Sequence, residues 1–550
     1  MRRIETGTIM VFVAILVAAA LTFHGLTNHL FWDDEANTAI FGRNLLKTGE
    51  LTAWDGRNLM GYRGGAELDE DLVNVYMPPM QYYVAAVGLY LFGESTFGGR
   101  VLFVIAGIAG ITLLAVLMRH LAPHYFPWWL PSLFLAVTPA YLLYIRNCRY
   151  YSLGVFFTLT LLAACSGPLD NRRARITGWT LGLGSTVALV LTNYINAVAA
   201  LSSLPVLLLW AGMRTRRHLV LQGAIYAIAG VCGLLVYLYH NPFAAEVASS
   251  DPTPALERFL TLLWWHAKGL ATFEFVPVLL IPVLTLPFLL KRLSSLRSLA
   301  AVGAALLAML AISCLVTAFF SPQPLPDAVS ADMRYQVPLI ALGAGVGGMA
   351  IFILFRAFKP LGLVCAGILV LTNILQLGFL AERSSMLKPR NVSCTLCQYV
   401  WENTMDYKTS TESIVDWLAR LPEGRVVYIS PDPMVYAPMF YLPRLLYAGQ
   451  LTRTDRVRPD LVFRLPEYLF MEPATFDLAL IQGRPPKVRD GSLHDAHGKK
   501  IHVKKSYKIV EYLPVFYKDC SRPEIPWHAF SPKEFEEDSK KGFFVAEVSQ

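Results

Sequence analysis

The sequence predicts a mainly α-helical, polytopic membrane protein that ends in a water-soluble α/β domain. Three observations carry this expectation. The 550-residue chain is 55% hydrophobic and only 16% charged, with a mean hydropathy of +0.44, too apolar for a soluble chain of this length. Apolar runs long enough to cross a bilayer recur along most of it. Beyond about residue 382 the composition turns to that of a soluble protein.

The spanning runs lie at 8–29, 99–118, 126–145, 150–167, 176–194, 197–213, 219–240, 271–290, 298–320, 337–355 and 361–380, which gives about eleven helices. The first is too long, and lacks the small-residue cleavage site, to be a removable signal peptide. Basic residues set the orientation. Arg2 and Arg3, Arg119, Arg172 with Arg173 and Arg175, Arg214 with Arg216 and Arg217, Lys291 with Arg292 and Arg297, and Arg356 with Lys359 occupy every second connection. The N-terminus is therefore expected in the cytoplasm of a multi-pass plasma (inner) membrane protein. The long loop 31–98 and everything after the last span are expected on the periplasmic or extracellular side. These anchors account for the formal net charge of +8, so no nucleic-acid partner is inferred.

Two units follow, 1–382 in the membrane and 383–550 outside it. Within the long loop, Ala36–Leu46 reads as a short amphipathic helix stopped by Gly49. Pro78 and Pro79 suit the first turn of Met80–Leu91, which is too short to span and reads as interfacial. In the outer unit, Ser413–Leu421 has helical spacing. Arg425–Ser430 and Phe476–Ile481 read as short buried strands, and Lys499–Val515 alternates like a strand. Of the eight cysteines, Cys165, Cys232, Cys314 and Cys365 lie in apolar runs and read as small buried side chains. Cys394 and Cys397 form a C-x-x-C outside the membrane, with Cys520 the third candidate there, and a disulfide is the expectation. No second pair or His cluster accompanies them as a zinc site would require.

The chemistry is concentrated in Trp32-Asp33-Asp34-Glu35-Ala36. Three carboxylates at a membrane surface are expensive unless they bind or react with something, and one aspartate would suffice to cap the Ala36 helix. Arg146 and Arg149 sit on an outward connection, where basic residues are disfavoured. Arg334 lies on another, and His266 and Lys268 follow Trp264-Trp265 on a third. Phosphate binding is the reading for Arg149 and Arg334, against snorkelling to lipid headgroups. Glu67, Asp69, Glu70 and Asp71 read as a solvated run, with a divalent cation as the alternative. Gly61–Gly65 reads as a mobile loop that closes over an acceptor.

The ordered set Asp34-Glu35-Ala36, Gly42–Gly49, Pro78-Pro79 with Tyr82-Tyr83, and Leu91–Ser95 with Arg100 resembles the first outer loop of a known group. The group is the GT-C glycosyltransferases of the protein O-mannosyltransferase and aminoarabinose-transferase (ArnT-like) superfamily. The resemblance is dense over residues 31–119 and recurs at Arg334-Tyr335 with Pro338. It implies a GT-C fold and an inverting glycosyltransferase that moves a sugar from polyprenyl phosphate to an extracytoplasmic glycolipid, polysaccharide or protein.

By this resemblance Asp34 is the catalytic base and Glu35 orients it or shares its work. The substrate would be bound by Asp33, Arg43, Tyr82, Arg146, Arg149, Tyr150, His266, Lys268, Arg334 and Tyr335. No metal ligand is assigned, a divalent cation is left open as cofactor, and a monomer among membrane lipids is expected. The aminoarabinose transferases carry a second Asp where this chain has Arg149-Tyr150-Tyr151-Ser152, which puts that particular activity in doubt. The oligosaccharyltransferase Trp-Trp-Asp signature is absent, since Trp264-Trp265 continues to His266. The alternatives are a transporter or flippase of polyprenyl-linked lipid, whose paired mid-span charges are missing here, and a non-catalytic surface receptor or assembly factor.

Overall fold

The computed structural model describes residues 5–62, 64–210, 215–239, 253–272, 293–323, 325, 333–371, 395–405, 407–452, 457–462, 464–470, 476–482, 493–494, 496, 500–501, 507–514, 522–523 and 542–548. The chain is mainly helical, with a small sheet near its end. Among the described residues eleven helices open it: α1 (Thr6–Phe23), α2 (Asp33–Thr48), α3 (Met80–Phe92), α4 (Thr96–Leu121), α5 (Leu130–Ala136), α6 (Pro139–Ile145), α7 (Tyr151–Ser166), α8 (Arg172–Val190), α9 (Tyr194–Trp210), α10 (Arg216–Tyr239) and α11 (Ala255–Thr272). Leu293–Phe320, Val337–Ala357 and Lys359–Leu371 follow.

Among the described residues five helices are long and apolar enough to cross a membrane, namely α1, α4, α10, Ser298–Phe320 and Met333–Ala357. Met80–Phe92, Tyr151–Ser166, Tyr194–Leu209 and Lys359–Leu371 are shorter apolar helices. The Val337–Ala357 helix is the axis of the bundle. Nearly all its side chains are buried, and it packs on α4, α5, α7 and Leu293–Phe320.

Several expectations are adjusted. The run 126–145 is not one span. It breaks at Val137-Thr138, where Pro139 opens α6 and cannot donate into the preceding turn. The first helix ends at Phe23, six residues before its apolar run does, in a turn through Gly25 that lies against the Asn403 carbonyl. The run 271–290 and residues 372–380 lie almost wholly outside the described residues.

The long outer loop folds as two helices around an irregular, pinned segment. Helix α2 starts three residues earlier than its apolar pattern, because Asp33, Asp34 and Glu35 fill its first turn. Gly49 ends it in a left-handed conformation with φ 82, its N–H on the Leu45 carbonyl. In α3, Tyr90, Leu91 and Phe92 stay exposed while Tyr82, Ala85 and Leu89 are buried, the one-sided burial of an interfacial helix.

The C-terminal sheet is mixed. Its strands are β1 (Val426–Ser430), β2 (Leu446–Tyr447), β3 (Leu478–Gln482), β6 (Tyr507–Leu513) and β7 (Phe543–Val548), while β4 (Leu493–His494) and β5 (Lys500–Ile501) form a separate pair. The order is β2-β1-β3-β7-β6, parallel across the first three and antiparallel across the last three. Both expected buried strands are present. The expected helix forms at Ser410–Leu418, three residues early, because Thr409 and Glu412 make a capping box.

One face of the sheet shares an apolar core with the outer loop. Phe31, Ile40, Phe41 and Tyr82 pack in the same cluster as Val427, Phe440, Leu480 and Val545. The Gly61–Gly65 segment is clasped there rather than hanging free. Thr452 N–H donates to the Gly64 carbonyl at 3.1 Å, and Tyr468 Oη donates to the Arg57 carbonyl at 2.5 Å. Of the cysteines, Cys165 and Cys314 are buried as expected, whereas Cys232 and Cys365 are only half-buried. Cys394 and Cys520 lie outside the described residues.

Candidate active site

The site grows from the first turn of α2. Glu35 is fully buried and grips Arg100 of α4 bidentately, Nε to Oε1 at 2.8 Å and Nη2 to Oε2 at 2.6 Å. The Cys148 N–H also donates to Oε1, at 2.7 Å. Arg100 spends its other donors on the carbonyls of Leu26, His29 and Leu30. This buried, saturated pair fixes three stretches of chain to one another: the α1–α2 turn, the start of α4 and the segment before α7. Glu35 is thus held fast beside Asp33 and Asp34.

Asp34 points the other way. Its Oδ2 pairs with Arg334 Nη1, and its Oδ1 lies 3.5 Å from Arg149 Nη2. Arg149 is itself buried, donating to Thr38 Oγ1 at 2.9 Å and to the Asp34 carbonyl at 3.2 Å. The Asp34 side chain keeps 25% of its surface exposed. Burial pushes its carboxyl up, but the guanidinium groups of Arg149, Arg334 and Arg522 together outweigh this and hold it below the usual carboxylate range. Arg334 comes from the 3-10 turn Met333–Gln336, which Pro338 and the Val337–Ala357 helix follow directly. The structure therefore gathers Asp34, Arg149 and Arg334 from positions separated by up to 300 residues.

Asp33 faces the C-terminal part. Its Oδ1 accepts the Asp34 N–H at 3.1 Å, and its Oδ2 lies 3.0 Å from Arg522 Nη2. Arg522 is a site residue that sequence reading does not single out, since no motif or periodicity surrounds it. Its guanidinium sits 5.0 Å over the Trp32 ring.

The other expected binding residues are placed as follows. Tyr82 is fully buried against Phe41, with ring centroids 4.9 Å apart, within the electrostatic reach of Arg149 and Asp34. Tyr150 lies beside Arg149, the guanidinium 5.9 Å from its ring. Tyr335 lines a cavity of about 20 Å³ with Thr158, Asn196, Ser203 and Ser313, room for about one water. Arg43 is fully buried, donating to the Phe440 carbonyl at 2.9 Å and pairing with Asp55 at 3.5 Å. Arg146 donates to the Gly25 carbonyl at 2.6 Å and to Tyr399 Oη at 3.1 Å, and it also pairs with Asn403. These last two arginines tie the outer loop and α1 to the C-terminal part. His266 is buried on α11, which packs on Leu293–Phe320. Lys268 is on the same helix, its side chain outside the described residues.

The acidic run is split. Asp71 pairs with Arg458 at 3.0 Å on the surface, whereas Glu67 is buried with Oε1 accepting the Tyr62 N–H at 2.6 Å. Burial pushes the Glu67 carboxyl up to about 8. Among the described residues no group of three or more His, Cys, Asp or Glu side chains is placed to hold a metal ion.

No family model matches the chain. An undecaprenyl phosphate-alpha-4-amino-4-deoxy-L-arabinose arabinosyl transferase of Pseudomonas aeruginosa is 29% identical over 252 residues, 44% of this chain and 40% of that protein. Its counterpart in Pseudomonas paraeruginosa matches over the same shares at the same identity. The chain thus spans about two fifths of the length of the curated relatives it matches. Among solved structures, ArnT from Cupriavidus metallidurans bound to undecaprenyl phosphate superposes with a TM-score of 0.46 at 14% identity, over 87% of this chain and 94% of that one. An Archaeoglobus fulgidus oligosaccharyltransferase reaches 0.49 at 10% identity, over 86% and 69%. In sequence the chain is similar to the ArnT-like transferases, the group that its first outer loop resembles.

Proposed function

We propose that the chain is an integral-membrane, inverting glycosyltransferase that uses a polyprenyl-phosphate-linked sugar and an acceptor on the non-cytoplasmic side. One observation carries the reading: a carboxylate next to two guanidiniums, held where the membrane helices meet the outer loop. The sequence likeness to undecaprenyl-phosphate-dependent transferases supports it. Residues 1–382 would form the catalytic unit and 383–550 an outer cap. The alternation of basic residues supports an outward-facing site.

The charge balance suits the chemistry. Glu35 and Arg100 neutralise each other. Asp33 and Asp34 face Arg149, Arg334 and Arg522, leaving one net positive charge for a phosphodiester to meet. While Asp34 is paired with arginines it is a weak base. A donor phosphate that takes over Arg149 and Arg334 relieves the carboxylate, which then accepts the proton of the acceptor hydroxyl. The acceptor oxygen bonds to the anomeric carbon, the bond to phosphate breaks, and the arginines hold the departing polyprenyl phosphate. Tyr82 and Tyr150 would line the sugar.

The test is sugar release from a panel of polyprenyl-phosphate sugars by the purified protein. Asp34→Asn is expected to lower turnover by at least about two orders of magnitude, while charge removal at Arg149 or Arg334 mainly weakens donor use. Wild-type turnover in Asp34→Asn sinks the base assignment. No release from any donor sinks the enzyme reading.

A further inference from the structure

The site described so far is built by the membrane helices and the first outer loop, yet one of its charges arrives from the far end of the chain. Arg522 lies 489 positions from Asp33 and is partly buried, 25% of its side chain exposed against 12% for Asp33. The contact continues inward. Asp33 Oδ2 meets Arg522 at 3.0 Å, and Asp33 Oδ1 accepts the N–H of Asp34 at 3.1 Å. One carboxylate therefore joins the C-terminal part to the backbone of the candidate base. Trp32 completes the arrangement, its ring under the guanidinium at 5.0 Å and its Nε1 donating to Asn147 Oδ1 at 2.6 Å.

We infer that Arg522 is a positioning residue of the active site, holding Asp33 and, through Asp33, the first turn of α2 and the Asp34 carboxylate. This rests on the glycosyltransferase reading of that carboxylate. It makes the C-terminal part a component of the catalytic site and not only a cover over it. The physical reason lies in charge. Two adjacent carboxylates on one helical turn repel each other, and the two cations from the membrane side, Arg149 and Arg334, both engage Asp34. Arg522 neutralises the second carboxylate from the opposite side and adds its own field at Asp34.

Other titratable groups surround the pair. Tyr82 of α3 faces Asp34 and Arg149, and Glu67 of the loop and Tyr194 of α9 act on the same tyrosine. Tyr436 from the C-terminal part faces Asp33, with Glu67, Asp432 and Tyr62 around it. The tyrosines are neutral across the working pH range. Among the described residues Arg522 is the C-terminal charge that touches the pair directly.

The test uses the full-length protein with Arg522→Gln, Arg522→Lys and Asp33→Asn. Two readouts are followed against pH: sugar release, and the Trp32 share of the fluorescence, taken as the difference from Trp32→Phe. In wild type the Trp32 component is expected to change as the pH is lowered, as protonation of Asp33 loosens Arg522. Arg522→Gln abolishes that change and moves the acid limb of kcat/KM up by about one pH unit. Arg522→Lys restores the limb, and Asp33→Asn moves it down. A merely destabilising substitution would not shift the limb in opposite directions in the two variants. A wild-type limb in both Arg522→Gln and Asp33→Asn overturns the inference, whatever the fluorescence does. If wild type transfers no sugar, the glycosyltransferase reading falls separately. The Trp32 titration then decides whether Arg522 governs the carboxylate pair, and a pH-invariant Trp32 component rejects it.

Discussion

Among single residues, the three consecutive carboxylates of α2 are given three different jobs by their neighbours. Glu35 is saturated by Arg100 and the Cys148 amide and holds elements together. Asp34 meets the membrane-side arginines, and Asp33 meets the C-terminal one. Asp34, Arg149 and Arg334 were legible in sequence because charge is rare near lipid and so stands out. Arg522 was not, since it lies in a polar region where an arginine is unremarkable. Glu67 was hidden for a related reason: an acidic run looks solvated, and only its first member turns inward. That burial has a measurable sign. An ordinary glutamate loses its proton near 4.5, while the folded chain keeps the Glu67 proton up to about 8. Between those values the unfolded chain binds fewer protons than the folded one, so stability is full below about 4.5 and falls as pH rises to about 8. Glu67→Gln is expected to flatten that slope in thermal midpoints recorded from pH 5 to 9 in detergent. A mutant slope equal to that of wild type would mean that Glu67 is not held neutral.

The elements show where local pattern suffices and where it fails. Helices such as α4 and Val337–Ala357 were readable because an apolar run of that length has few alternatives. The break at Pro139 was not, because the run 126–145 stays apolar through the interruption and only packing decides between a kink and two helices. The glycine-rich segment was misread for want of its partner. A Cβ at Gly64 would sit 1.9 Å from Thr452 Oγ1, at a backbone φ of +71. Gly61 is nearly as tight, 2.0 Å from the Gln450 carbonyl oxygen. These glycines let the loop press against Gln450–Thr452, just past β2; no hinge is needed to explain them. Gly64→Ala should therefore loosen the clasp, costing about 1–3 kcal/mol, and speed protease cutting between residues 51 and 75. Unchanged proteolysis would show that the contact does not hold the loop down.

For the whole molecule, the outward-facing site proposed above rests on the alternation of basic residues over the first 382 positions, a pattern that no single element reveals. It yields a direct measurement. Glu50, exposed just past α2, changed to cysteine in a chain stripped of its own thiols, should react with a membrane-impermeant reagent added to intact cells. Labelling only after the membrane is opened would reverse the topology and move the chemistry to the cytoplasm. The bundle and the sheet belong to one architecture in a further sense. Phe31, Phe41, Phe440 and Val545 share one apolar cluster, so the loop after α1 and the strands near the end of the chain form a single packed layer.

That shared layer bears on how such proteins can diverge and be recombined. Because this cluster joins the outer loop to the C-terminal strands, the two stretches cannot drift independently: a change on the α2 face must be matched by one on the sheet. Hybrids with a relative should keep their fold when residues 31–92 travel with 395–548, and lose it when the only crossover is placed between positions 371 and 395. Inheritance here follows the contact surface, not the order of the gene.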